Sequence, residues 1–128
     1  MFINYYMEKI EEDEIKNIML ECNWNDAYNH VLNYYLSAKE KLHALLKHTD
    51  KDQLINDTKI ASAEAARLHL AASTLIRRED FSREAYSKIS NKIASLLASH
   101  NRIIQTAFKN NDMKISFLDE NEDEQEDF

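Results

Sequence analysis

The sequence contains no glycine and no proline. Average usage would supply about 7% glycine and about 5% proline, so their absence restricts the fold before any pattern is read. Tight β-hairpins need residues that tolerate positive φ, and a glycine-free chain has little to build them from. Helices joined by Asn, Asp, Ser and Thr turns carry no such requirement, and an all-α fold is the expectation. The same absence excludes a phosphate-cradling P-loop, a dinucleotide fingerprint and a Gly-x-Ser-x-Gly nucleophile elbow.

Cysteine is nearly absent too. The single Cys22 excludes an internal disulfide framework and a thiolate zinc cluster, and it points to a reducing compartment. No run reaches the ~20 apolar residues a membrane span requires, and no basic region followed by an apolar run marks a signal peptide. The expected location is the cytoplasm, or a host cytosol for a protein of a virus or pathogen, with no membrane partner.

What is present suits long amphipathic helices: 44% apolar and 30% charged residues in a chain of 128, enough for one folded unit with a real core. Periodicity and capping residues mark four segments. The first runs from about Asn4 to Cys22, with Ile15, Ile18, Met19 and Cys22 on one stripe. The second follows the cluster Asn23, Trp24, Asn25, Asp26 and ends near His48. The third opens at Thr49, Asp50, Lys51, Asp52, with Thr49 three residues before an acid, and runs to about Arg78. Asp80 or Ser82 caps the fourth, which continues to about Lys109 and stops in Asn110 and Asn111, residues suited to a left-handed cap. Residues 1–111 are the expected helical domain; residues 112–128 are an expected extended arm and disordered acidic tail.

The last three segments keep an apolar seam at alternating steps of four and three. It reads Trp24, Tyr28, Val31, Tyr35, Ala38, Leu42, Leu45 in the second, then Leu54, Thr58, Ala61, Ala65, Leu68, Ala72, Leu75 in the third. The fourth has Tyr86, Ile89, Ile93, Leu96, His100, Ile103, Ala107. A 3.5-residue repeat implies shallow-angle packing, and short connections favour antiparallel neighbours, so an antiparallel helical bundle is predicted. Six alanines (Ala61, Ala63, Ala65, Ala66, Ala71, Ala72) let neighbours approach the third helix closely, which places it between the second and the fourth. Leu97, Ile104 and Phe108 widen the apolar face of the fourth helix beyond one partner's needs. Either the first helix covers them, or they form a dimer or partner surface.

Charge comes in blocks. Residues 1–26 carry seven acids against two bases, residues 27–58 balance, residues 59–114 carry ten bases against five acids, and residues 115–128 carry seven acids and no base. The acidic run Glu11, Glu12, Asp13, Glu14 and the tail offer negative surfaces for a partner. Arg77, Arg78, Arg83 and Lys88 gather near the turn between the third and fourth helices, the best candidate for nucleic-acid contact. The tail could mask such a basic surface by Coulomb attraction. Its end, an acidic run closed by Phe128, resembles the C-terminal tips of single-stranded-DNA-binding proteins. The resemblance covers residues 122–128 alone and implies that a terminal aromatic docks on a partner protein. Before the tail, residues 113–117 alternate apolar and polar, as an arm lying on the bundle or adding to a partner's sheet edge would.

Metal and catalytic chemistry have thin support. Glu40 and His43 match the Glu-x-x-His unit of di-iron bundles, but no second copy exists in the chain. His100 holds a seam position, where a hydrogen-bonded core histidine is the ordinary reading. Asn-Tyr-Tyr occurs twice, and Tyr5 and Tyr34 are the members of each pair expected to face outward as contact residues. No nucleophile, base and orienter group together. No cofactor or metal is expected, and the chain reads as a non-enzyme: a protein-interaction module of the adaptor, chaperone-like or inhibitor kind, with another protein or a second copy as partner. The alternative is a nucleic-acid-handling accessory, an oligomeric packaging or replication factor whose tail masks basic helices.

Overall fold

The computed structural model describes residues 8–113. The expected start of the first helix, Tyr5, the arm beyond Met113, the acidic tail and Phe128 lie outside the described residues. Among those described, the chain is helical with no strand: α1 Lys9–Glu21, α2 Trp24–Ala44, α3 Lys51–Leu75 and α4 Arg83–Asn110. A single 3-10 turn, Leu45–Lys47, tightens the end of α2.

Polar side chains do at the helix ends what glycine and proline do elsewhere. Asn23 accepts the Asp26 amide at 2.9 Å, and Ser82 accepts that of Ala85 at 3.1 Å. Asp50, rather than Thr49, caps α3, its carboxylate taking the Asp52 and Gln53 amides at 2.9 and 3.1 Å. The carboxylate satisfies two otherwise orphaned donors and sits at the positive end of the helix dipole. At the far end of α4 the left-handed residue is Asp112, with φ 54°, not Asn110 or Asn111. Its amide bonds the Lys109 carbonyl at 3.0 Å and the Met113 amide bonds that of Phe108 at 2.9 Å. Those two bonds make a Schellman stop. The Asn111 amide meanwhile bridges the carbonyls of His48 and Ala107, tying the end of α4 to the end of α2.

α2 and α3 form the central pair. α1 packs against α3 and α2, while α4 packs against the 3-10 turn, α2 and α3. All seven seam positions predicted for α3 are buried, as are Ser62, Ala66, Ala71 and Thr74 beside them. The alanines therefore serve two neighbours, and α1 lies on a second face of α3. In α2 the seam is buried from Val31 to Leu45, while Trp24 and Tyr28 are half-buried. These two join Phe81 and Tyr86 in a chain of ring contacts, 5.7 to 6.2 Å between centroids, that closes one end of the core. In α4 the buried stripe moves from Ile103, which is half-buried, to Ile104, which is inaccessible. A straight helix drifts about 20° per heptad from a 3.5-residue repeat, enough over three heptads to shift it by one residue.

His100 is 1% exposed in this core. Burial pushes its imidazole pKa below the ordinary 6.5, opposed by hydrogen bonds to Asn101 and to the Ala61 backbone. A depressed folded-state pKa means that the unfolded chain takes up the proton first as pH falls. The contribution is intact above about pH 6.5 and is lost below it, at no more than about 1.4 kcal/mol per pH unit. Urea midpoints at pH 5 and pH 7.5 are expected to differ less in His100→Gln than in the parent.

Candidate interaction surfaces

Two arginines, Arg67 in α3 and Arg78 in the turn after it, bond to α1. The Arg67 guanidinium bonds both Glu11 carboxylate oxygens at 3.3 Å and Glu64 at 2.6 Å, and Glu64 also accepts the Ser37 hydroxyl of α2 at 3.0 Å. Burial opposes the Arg67 charge, but the two glutamates outweigh it and hold its pKa above the ordinary value. Tyr34 lies beside this cluster, where burial raises its phenol pKa, Arg67 lowers it, and Glu11 and Glu64 raise it. Eleven residues on, in the turn after α3, Arg78 donates to the Met19 carbonyl in the last turn of α1. Its other nitrogens grip Asp80 at 2.8 and 2.9 Å, and that hydrogen bond holds the Asp80 carboxyl below its usual range. Ala71 and Thr74, four and seven residues after Arg67, fall on its side of α3, and both are buried.

The ion pairs around Arg67 are partly exposed, so their coupling is modest. A double-mutant cycle with Glu11→Gln and Arg67→Met is expected to return about 0.2–1 kcal/mol, shrinking with added salt. A coupling above that range would mean that water is excluded from the pair.

The acidic run of α1 is divided by this attachment. Glu11 and Glu12 are half-buried, the first bound by Arg67 and the second by Lys16 at 3.2 Å. Asp13, paired with Lys9 at 3.1 Å, and Glu14 are exposed. The outward side also carries Ile10, Ile18 and Leu20, exposed to 71%, 48% and 56%. α1 thus buries Ile15 and Met19 and turns three large apolar side chains, interleaved with acids, toward solvent.

The other expected contact residues are distributed differently. Ile104 and Phe108 of α4 are buried and Leu97 is half-buried, so that wide face is filled within the chain. Its main cover is α2 and the 3-10 turn, whereas α1 packs on α3 and α2. Tyr35 is buried and Tyr34 half-buried. Of the four candidate nucleic-acid residues, Arg77, Arg83 and Lys88 are exposed, and Arg78 is committed to Met19 and Asp80. Glu40 and His43 are both exposed on α2.

Among the described residues no group of three His, Cys, Asp or Glu side chains is arranged to hold a metal. No helix among them is long and apolar enough to cross a membrane. An open cleft of about 530 Å³ is lined by Leu20, Arg77, Arg78, Glu79 and Asp80, where the C-terminal end of α1 meets the turn after α3. No family model, curated protein or solved structure matches the chain.

Proposed function

We propose that this chain is a non-catalytic protein-interaction module, an antiparallel bundle of four helices that presents the outward face of α1 to a partner. One observation carries the reading: Ile10, Ile18 and Leu20 stand in solvent between Asp13, Glu14 and Glu21, all exposed, on a helix already anchored by its opposite face. Ile10 and Ile18 are eight residues apart, just over two turns, the spacing with which an amphipathic helix fills an apolar groove. The flanking acids fit a groove with a basic rim, whose charges would steer encounter and set specificity. The bundle reading is supported by the buried seams of α2, α3 and α4 and by the Ser37–Glu64 bond between the middles of α2 and α3.

The test is a double variant, Ile10→Glu with Ile18→Glu. Each isoleucine contributes about 1.5–3 kcal/mol when fully buried, so partner affinity is expected to fall about 100-fold or more. Urea stability is expected to stay within about 0.5 kcal/mol of the parent. Affinity capture from the native cell with parent and variant in parallel reads the difference, and light scattering reads self-association. A set of captured proteins and an oligomeric state both unchanged by the variant would sink the proposal.

A second reading, the nucleic-acid-handling accessory, draws on α4, whose only acid after its cap is Glu84 in the first turn, against five bases. Absence of labelled-DNA binding at low salt, by the parent chain and by a chain with residues 119–127 neutralised, would remove it.

A further inference from the structure

The outer side of α4 carries mostly positive charge, with Glu84 in its first turn as the one acid. Lys88, Lys92, Arg102 and Lys109 are all exposed. At 3.6 residues per turn they fall within an arc of about 100°, opposite the buried stripe. No ion pair among the described residues involves any of the four, although acids elsewhere find partners within their own or a neighbouring helix. Four like charges on one arc repel each other, and an anion that spans them relieves that repulsion.

We propose that this face of α4 is a docking surface for an acidic peptide, and that its occupant is residues 119–127 of the same chain. Three features single out that occupant. Residues 115–128 hold seven acids and no base, the complement of α4. The Schellman stop at Asp112 turns the backbone off the helix axis beside the last turn of α4, with Met113 against the core, so the occupant starts close to Lys109 and has to pass around the helix to the basic arc. Length then suffices: fourteen residues from Met113 to Asp127 reach up to about 48 Å when extended, and Lys88 to Lys109 spans about 32 Å of helix. A tether this short holds the segment at an effective concentration on the order of millimolar, so a weak, salt-sensitive attraction suffices. The proposal is independent of the α1 surface, which lies across α3 and α2.

The test uses the full chain with Cys22→Ser and Gln125→Cys, carrying a nitroxide on the new thiol. Paramagnetic loss of backbone amide intensity is then read by NMR along the whole chain. At about 20 mM salt, losses are expected on the outward residues of α4 between Lys88 and Lys109. They are expected to vanish at about 1 M salt, where the screening length is about 3 Å. They should vanish as well in the same chain with Lys88→Gln, Lys92→Gln, Arg102→Gln and Lys109→Gln. All four are surface positions, and circular dichroism checks that the variant remains helical. The proposal is overturned by no loss at low salt, by losses that survive the four substitutions, or by losses centred on α1. It is overturned too if the label leaves α4 untouched while a single-stranded oligonucleotide shifts the same amides, which would assign this face to nucleic acid.

Discussion

Leu68→Ala is expected to lower the free energy of unfolding by about 2–5 kcal/mol, the range for a buried leucine whose cavity cannot close. Leu68 is wholly inaccessible, sits in the middle of α3 and belongs to the main core cluster. Its neighbours limit the collapse: Ala61, Ala65 and Ala72 have nothing to extend into a void, and α2 is tied across by the Ser37–Glu64 bond. A domain of this size has about 5–15 kcal/mol in total, so the variant would lose a large share. Urea titration followed by helical circular dichroism measures it, with His69→Ala, an exposed neighbour, as the control expected within about 0.5 kcal/mol of the parent. A loss below about 1 kcal/mol for Leu68→Ala would mean that the helices around α3 can close on the missing side chain.

Arg78→Met has the second largest expected effect on stability, about 1.5–3 kcal/mol, the range for hydrogen bonds to charged groups. The side chain is 8% exposed, satisfies a terminal carbonyl of α1 and is held in place by Asp80. Methionine fills much of the same volume and bonds nothing. The adjacent Arg77→Gln removes a similar charge from an exposed position and is expected to change stability by less than about 0.5 kcal/mol. Measuring the pair side by side separates a structural arginine from a surface one. If both variants match the parent, Ile15, Met19 and the Arg67–Glu11 pair hold α1 without Arg78.

The two arginines show where sequence reasoning reached its limit. Both stand in one dipeptide just past the end of α3, and nothing local says which of them meets a carbonyl fifty-nine residues earlier. The Arg-x-Asp spacing of Arg78 and Asp80 was the only available hint. Arg67 offered a better one: a lone cation inside the run Ala65, Ala66, Arg67, Leu68 implies that burial is compensated by a partner. That partner, Glu11, was legible only as part of a uniform acidic strip. The seam of α3, by contrast, was readable residue by residue, because periodicity is a property of the helix itself. The same pattern was silent on its second face, where Ala71 and Thr74 are buried on the side of Arg67, since small side chains raise no hydrophobic signal. In α4, extrapolating a strict repeat favoured Ile103 where the helix buries Ile104. At its end, preference favoured asparagine for the left-handed position, which Asp112 also tolerates.

The attachment of α1 also has a consequence in time. α2 and α3 meet across one short connection and α4 reaches back to α2 and the 3-10 turn with a long buried stripe, whereas the two polar anchors of α1 reach fifty-six and fifty-nine residues along the chain. Closing long loops costs more entropy than closing short ones, and α1 brings only Ile15 and Met19 to the core in return. Its amides should therefore exchange with solvent by a local opening that leaves the other three helices protected, as a separate cooperative unit. The helix that carries the proposed contact residues is then also the first to leave the body of the protein. A partner would meet it both docked and released, and would shift the balance between the two.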